Sequence, residues 1–148
     1  MNITISRYVS SDQQGVKQVV LDGFKDFGFE YLEEYDSDLE DPKKHYIDKG
    51  GMFFVLKDDE KIIGTVAIVN KGNKVAELKR LYVDKEYQGK GFGSKLLDTA
   101  IAYCKEKGFT KLEFETNKKF TKAHLLYQKR GFKTIREDKK SYYMEKEL

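Results

Sequence analysis

The residues with the clearest capacity for chemistry form one glycine-rich segment, Gln88-Gly89-Lys90-Gly91-Phe92-Gly93-Ser94. It stands between a strand-like run, Val75 to Val83, and an amphipathic run that begins at Phe92. Closely spaced glycines allow tight turns that present several backbone N–H groups to one anion, and a helix N-terminus adds a favourable dipole. The segment is therefore predicted to bind a diphosphate, with Lys90 and Lys95 adding positive charge at its rim.

Two common nucleotide-binding motifs do not account for this segment. Asp84 stands where a P-loop requires its first glycine. A Rossmann fingerprint opens a β-α-β unit, whereas this segment follows several strand-like runs. A glycine-rich turn selected only for its backbone geometry is the alternative to a diphosphate site.

The sequence on both sides of the segment favours the diphosphate site over a turn selected only for its geometry. Gln88-x-x-Gly91-x-Gly93 resembles the [Q/R]-x-x-G-x-[G/A] signature of the GNAT superfamily of acetyl-coenzyme A-dependent N-acetyltransferases. The run from Leu78 to Val83 resembles the fourth strand of that superfamily. The run from Ala123 to Phe132 resembles its A-x-x-L-Y-x-K-x-G-F segment. The resemblance covers the strand order of nearly the whole chain and is strongest from Glu77 to Phe132.

The resemblance implies a fold and a cofactor. The fold class is α/β, with a mixed (α+β) and mostly antiparallel central sheet, splayed between strands 4 and 5, and with helices on both faces. The pantetheine arm of acetyl-coenzyme A would lie in that splay, with the amide of Val83 donating to the thioester oxygen. The implied cofactor-binding residues are Leu81, Tyr82, Val83, Gln88, Gly89, Lys90, Gly91, Phe92, Gly93, Ser94, Asn117 and Tyr127.

Two residues are candidates for acid–base chemistry. Tyr127 matches the common general acid of the superfamily, and a phenol donates a proton or hydrogen bond to a departing thiolate. The alternative for Tyr127 is a half-buried core aromatic whose hydroxyl is satisfied elsewhere. Glu77 lies where some members of the superfamily place a catalytic glutamate, and a base is needed because an alkylamine is protonated at neutral pH. The alternative for Glu77 is a cross-strand ion pair with a lysine.

One position departs from the pattern of the superfamily. Many members carry Asn three residues before the alanine of the second motif, where this chain has Phe120. Thr121 is predicted to cap the following helix instead. Asn117 is predicted to replace the contact with the cofactor.

The elements that position these residues follow from hydrophobic periodicity and turn residues. Ser11 and Gln14 have capping-box spacing and predict the start of the first helix. Residues 27–46 predict a loop and a short helix, and Ala123 to Arg130 predict the last helix. The predicted order is β-α-(α)-β-β-β-α-β-α-β-β, forming one N-acetyltransferase domain over residues 1–148.

Composition narrows the classes of function. The net charge is +3, but residues 22–41 carry −8 and the remainder therefore carries +11. The scattered lysines lack interleaved aromatics, so no nucleic-acid site is predicted. His45 and His124 lack partners at metal-ligand spacing, so no metal site is predicted. A single cysteine, Cys104, and the absence of a signal peptide or a long apolar run predict a cytoplasmic protein without a membrane partner.

These observations predict an enzyme that transfers an acetyl group from acetyl-coenzyme A to a primary amine by direct attack in a ternary complex. The alternative is a regulatory domain that binds acyl-coenzyme A without turnover. The acceptor, a small molecule or a protein, is not identified by the sequence. The acidic stretch with Phe27, Phe29, Tyr31 and Tyr35 is compatible with a cationic acceptor. The alternative for this stretch is an amphipathic helix with an ordinary solvated acidic face. Both a monomer and a homodimer are compatible with the sequence.

Overall fold

A computed structural model describes residues 1–148. It contains seven strands and five α-helices, joined by short 3₁₀ turns. The strands are β1 (Ile3–Arg7), β2 (Met52–Asp58), β3 (Lys61–Gly72), β4 (Val75–Val83), β5 (Lys111–Asn117), β6 (Lys133–Glu137) and β7 (Ser141–Glu147). The helices are α1 (Gln13–Asp26), α2 (Glu33–Asp36), α3 (Pro42–His45), α4 (Phe92–Glu106) and α5 (Thr121–Lys129).

All seven strands form one sheet in the order β1-β2-β3-β4-β5-β7-β6. Every neighbouring pair is antiparallel except β4 and β5, which are parallel. A parallel neighbour needs a long crossover connection, which α4 supplies between β4 and β5. The predicted α/β class with a mixed, mostly antiparallel sheet is confirmed.

Helices cover both faces of the sheet, as predicted. Strand β2 is buried along five consecutive residues because its alternate side chains enter two different cores. Phe54 and Leu56 belong to the core beneath α4, whereas Phe53 and Val55 belong to the core beneath α1. The core beneath α4 includes Leu78 of β4 and Phe114 of β5, and the core beneath α1 reaches β4 through Tyr82.

The sheet opens between β4 and β5. Residues Val75–Glu77 of β4 pair with residues Lys111–Glu113 of β5. Beyond these residues the two strands form no hydrogen bonds with each other. Strand β4 also carries a bulge, because Arg80 has a φ of +58° and the register with β3 shifts between Thr65 and Ala67. The splay predicted between strands 4 and 5 therefore has a physical basis in the divergence of two parallel strands next to a bulge.

Local details at two helix starts differ from the predictions. The predicted Ser11–Gln14 capping box is wrong, since the Asp12 carboxylate accepts a hydrogen bond from the Val9 amide at 3.0 Å one turn earlier. The predicted cap at Thr121 is also wrong, because Phe120 precedes the first residue of α5 and no side chain caps this helix. Residues 27–46 form two one-turn helices, α2 and α3, instead of one.

None of the helices combines the length and apolar character needed to cross a bilayer.

Candidate active site

The glycine-rich segment forms the turn from β4 into α4. Gly89 and Gly91 have φ values of +79° and +83°, which only glycine adopts readily. The Gln88 side chain donates to the Val83 carbonyl at 2.9 Å and so ties the turn to the end of β4. The first backbone hydrogen bond of the helix is donated by the Lys95 amide to the Gly91 carbonyl.

The backbone N–H groups of this turn are unpaired. None of the six amides from residue 89 to residue 94 donates a hydrogen bond within the chain. A Cβ placed at Gly89 or Gly91 would meet no atom within 4 Å, so the turn borders open space. Unpaired amides at a helix N-terminus form a ready anion site. The Lys90 and Lys95 ammonium groups lie over the rings of Tyr87 and Phe92, both at 5.7 Å.

An open groove of about 260 Å³ runs along this turn between the end of β4 and helix α5. Its walls are formed by the glycine-rich turn together with Leu81, Val83, Tyr87, Lys122, Ala123 and Leu126. A second cavity of about 180 Å³ lies in the splay itself, between β4 and β5. Leu81, Val83 and Ala123 line both spaces, so the groove leads into the cavity.

The backbone of β4 presents donors to this cavity. The Asp84 amide donates to the Ile63 carbonyl of β3 at 2.8 Å. Because N–H groups alternate between the two edges of a strand, the Val83 and Leu81 amides face the opposite edge, toward β5. Beyond Glu77 that edge has no partner strand.

Tyr127 lines the cavity in the splay from helix α5. Its ring packs against Phe114 at 4.3 Å and Phe132 at 6.0 Å, and only 6% of the residue is exposed. Its hydroxyl forms no hydrogen bond with any protein group, so the ring is held and the polar end is free. Burial, with a smaller contribution from Tyr82, raises the pKa of Tyr127 above its ordinary value. The phenol is therefore protonated at neutral pH.

Glu77 lies at the last paired position of β4, opposite Glu113 of β5. It does not line the cavity that Tyr127 lines. It lines a neighbouring groove of about 520 Å³ with Tyr35, Lys79 and Glu115. The nearby Lys71 and Lys111 pair with Glu113 instead, which leaves Glu77 without an ion-pair partner. The structure thus brings Tyr127 next to the β4 amides but does not bring Glu77 into the same cavity.

Other predicted residues lie around the same space. Asn117 and Tyr82 line both the cavity and the neighbouring groove. The Asn117 side chain accepts a hydrogen bond from the Lys119 amide at 2.9 Å. Burial raises the pKa of Tyr82 to about 12. His124 stacks on Tyr142 at 4.2 Å on the β7 side of α5 and does not line the cavity.

Arg80 is a residue that the sequence did not single out. From the β4 bulge, its guanidinium contacts the carboxylates of Asp36 and Asp38 at 3.0 and 2.7 Å. Burial alone would raise the pKa of Asp38, but hydrogen bonds and charge from Arg80 outweigh it and hold that pKa below its ordinary value. The one signal in the sequence was the −8 segment, whose buried acids require a cation from elsewhere in the chain.

Comparisons with known proteins agree with this geometry. The sequence model of the acetyltransferase (GNAT) family matches residues 18–132. The chain is 30% identical over 103 residues to N-acetyltransferase 8B of Homo sapiens, and the match covers 66% of this chain and 45% of that protein. It is also 30% identical over 137 residues to an uncharacterized N-acetyltransferase of Schizosaccharomyces pombe, covering 90% of this chain and 84% of the relative. The chain therefore spans less than half the length of the human relative.

A solved structure shares the fold over the full length. The PaiA N-acetyltransferase of Thermoplasma acidophilum, solved in complex with coenzyme A, superposes with a TM-score of 0.83 at 24% identity and covers 100% of both chains. The signature in the glycine-rich turn, the splayed strands and the family match over residues 18–132 lead to one assignment. The chain belongs to the acetyltransferase (GNAT) family.

Proposed function

We propose that this protein transfers an acetyl group from acetyl-coenzyme A to a primary amine. The observation that carries this proposal is the continuity of the binding surface. A turn with six unpaired amides opens into a groove, and that groove leads into the cavity lined by Tyr127. A ligand with a diphosphate at one end and a reactive group at the end of a narrow arm fits this arrangement.

The residues present fit coenzyme A. The amides of residues 89–94 would hold its diphosphate, and the edge of β4 at Leu81, Tyr82 and Val83 would pair with its pantetheine arm. The Thermoplasma protein of the same fold was solved in complex with coenzyme A, which supports this choice of ligand. When bound, acetyl-coenzyme A supplies an acetyl group activated as a thioester. The same acyl carrier would also bind to the alternative, a regulatory domain without turnover.

The transfer requires a donor to the carbonyl oxygen, a donor to the sulfur and a base for the amine. The amine nitrogen forms a bond to the thioester carbonyl carbon while the carbon–sulfur bond breaks. The Val83 amide donates a hydrogen bond to the carbonyl oxygen as it gains charge. Tyr127 donates to the departing sulfur. Because burial raises the pKa of Tyr127, its proton is held more tightly than that of a free thiol, so hydrogen-bond donation is favoured over complete proton transfer.

The ammonium form of the amine must lose one proton to a base before it attacks. The nitrogen loses a second proton as the amide forms, and the leaving sulfur takes up one proton to become the free thiol. Glu77 has no ion-pair partner and lies in the groove beside the cavity, so it accepts the first proton through water in the proposed mechanism. A direct contact is not supported, because a base must come within about 3 Å of the proton it removes, or reach it through a water molecule. Glu77→Gln is expected to lower kcat/KM most at low pH, where little free amine is present.

The experiment for the proposed function is an acetyltransferase assay. The protein is incubated with acetyl-coenzyme A and a panel of amines, and the released thiol is measured. Initial rates that give intersecting lines when both substrates are varied support direct attack in a ternary complex, whereas parallel lines indicate a covalent acetyl-enzyme. Thermal stabilisation by acetyl-coenzyme A without thiol release for any amine would favour the regulatory alternative.

We propose further that the acceptor is cationic in solution. Glu30, Glu33 and Glu34 are exposed on the segment whose Tyr35 lines the groove beside the cavity. Exposed carboxylates raise the local concentration of a cation. The preference for a diamine over an amino acid of similar size is expected to weaken as salt screens these charges. Equal rates for the two amines at every salt concentration would contradict the proposal of a cationic acceptor.

The remaining proposals concern the molecule as a whole. We propose one N-acetyltransferase domain over residues 1–148 that acts in the cytoplasm as a monomer or a homodimer. Continuity of the sheet from β1 to β6 supports the single domain. Sedimentation at several protein concentrations would distinguish the monomer from the dimer.

A further inference from the structure

Two loops from distant parts of the chain meet at the open end of the splay. Phe27 and Phe29 follow α1, and Phe120 precedes α5. The ring of Phe120 lies 4.5 Å from that of Phe27 and 5.8 Å from that of Phe29. The Lys119 ammonium donates to the Phe27 carbonyl at 3.4 Å, which ties the two loops together. An aromatic contact therefore closes this end of the cavity.

Two of these rings line the cavity in the splay. Phe27 and Phe120 line the same cavity as Tyr127, and we call this pair the aromatic wall. Phe29 does not line the cavity and packs behind the wall, with its ring 6.4 Å from that of Phe24. Both wall residues are partly exposed, so each keeps apolar surface that a ligand can cover.

The acidic side chains of residues 22–41 do not line the cavity. Asp36 and Asp38 are paired with Arg80, and Glu40 is paired with Lys17. No acid from residues 22–41 lines the cavity. The side chain by which this segment lines the cavity, Phe27, is therefore apolar, although the outer surface of the segment is acidic.

We propose that the aromatic wall contacts the acceptor next to its amine, so that the acceptors are primary amines with an aromatic or apolar group within a few atoms of the nitrogen. This inference rests on the proposed function and names its acceptor class. Covering the exposed edges of two rings removes apolar area from water, and ring–ring contact adds to this gain. Dehydration at the wall also favours the neutral amine, which is the form that attacks.

The test compares two amines that differ only in an aromatic group. The ratio of kcat/KM for 2-phenylethylamine to that for ethylamine is measured for the wild type and three variants. Phe27→Ala and Phe120→Asn remove the wall. Phe29→Ala is the matched control, because it removes a ring from the same cluster without changing the lining of the cavity. Acetyl-coenzyme A binding is measured for each variant by thermal shift.

The wild type is expected to prefer 2-phenylethylamine by about 10- to 100-fold. Phe27→Ala and Phe120→Asn are each expected to reduce this ratio by about tenfold, and Phe29→Ala is expected to retain it. Thiol release from ethylamine but no preference in the wild type would overturn the inference while leaving the proposed function intact. No thiol release with any amine would instead count against the proposed function.

Two further outcomes would also overturn the inference. An equal loss of preference in Phe29→Ala would mean that the cluster only supports the fold of the two loops. An unchanged amine preference together with an altered preference for propionyl- over acetyl-coenzyme A would place the wall against the acyl group.

Discussion

Tyr127 is the candidate catalytic residue whose surroundings best fit that role. Its ring is fixed between Phe114 and Phe132, while its hydroxyl has no partner in the chain. The hydroxyl oxygen is not enclosed by protein atoms, since Tyr127 lines the cavity in the splay. The ring packs as a core aromatic does, but its hydroxyl has no protein partner, so the general-acid role of Tyr127 stays a prediction.

Replacing Tyr127 with Phe is predicted to lower kcat by about 10- to 1000-fold, because the donor to the leaving sulfur is lost. The affinity for acetyl-coenzyme A should change little, since the ring and its packing stay. Steady-state kinetics and thermal shift measure the two quantities. Tyr103→Phe is the matched control, because Tyr103 is also buried but packs against Phe54 away from the cavity. Equal loss in both variants would remove Tyr127 from the mechanism.

At the scale of elements, the turn into α4 and the bulge of β4 create the site. The turn depends on glycines in the left-handed region, which leave the amides unpaired. The bulge depends on Arg80, whose backbone carbonyl accepts from the Thr65 hydroxyl at 2.6 Å and whose side chain binds the α2 segment. One element thus presents the unpaired amides, and the other joins the α2 segment to β4 beside the splay.

A bulky residue at Gly91 is predicted to abolish stabilisation by acetyl-coenzyme A. Gly91→Val places a side chain in the space that the amides face and strains a φ of +83°. The matched control is Gly108→Val at the other end of α4, where φ is also +83° and the added Cβ also meets no atom. Both variants should lose stability, by about 1–3 kcal/mol. Only Gly108→Val should still be stabilised by the ligand, by about 2.7 kcal/mol at 100 times its Kd.

Removing the Arg80 side chain is predicted to destabilise the fold where β4 meets the α2 segment. Arg80→Met leaves Asp36 and Asp38 largely buried without their cation, at a cost of about 3–5 kcal/mol in the free energy of unfolding. Arg130→Met is the control, because the Arg130–Asp98 pair is more exposed and worth at most about 1 kcal/mol. Denaturant unfolding measures both variants. Similar losses in the two variants would show that the Arg80 cluster adds no more than a surface ion pair.

At the scale of the whole molecule, burial of acidic hydroxyl and thiol groups predicts a loss of stability at alkaline pH. Burial raises the pKa of Cys104 to about 12, and burial also raises that of Tyr82 to about 12. The unfolded chain releases these protons near pH 8.5 and 10. The folded protein is therefore at full stability below about pH 8.5, and it loses up to about 1.4 kcal/mol per pH unit for each group as the pH rises toward the folded pKa.

Cys104→Ala tests this prediction through the slope of stability against pH. Below about pH 8.5 the variant should be less stable than the wild type, because it leaves a small cavity. Between about pH 8.5 and 10, its free energy of unfolding should fall less steeply than that of the wild type. Denaturant titrations at several pH values supply the slopes, and identical slopes would contradict the raised pKa of the thiol.

The sequence by itself determined the parts of this protein that depend on local pattern. Periodicity and turn residues gave the order of strands and helices, because each element buries one face and ends at residues that cannot continue it. The spacing of Gln88, Gly91 and Gly93 located the turn with unpaired amides, because such a turn requires only a local backbone conformation. Tyr127 was located in the same way, by its place within a short motif.

Only the tertiary structure decided which distant residues meet. The Arg80 cluster joins residues more than forty positions apart, and the aromatic wall joins Phe27 to Phe120. Neither contact has a local pattern, since side chains far apart in sequence are brought together by sheet order and loop packing. The same is true of Glu77, which the motif places near Gln88 along the chain but which the pairing of β4 with β5 holds in a different cavity from Tyr127.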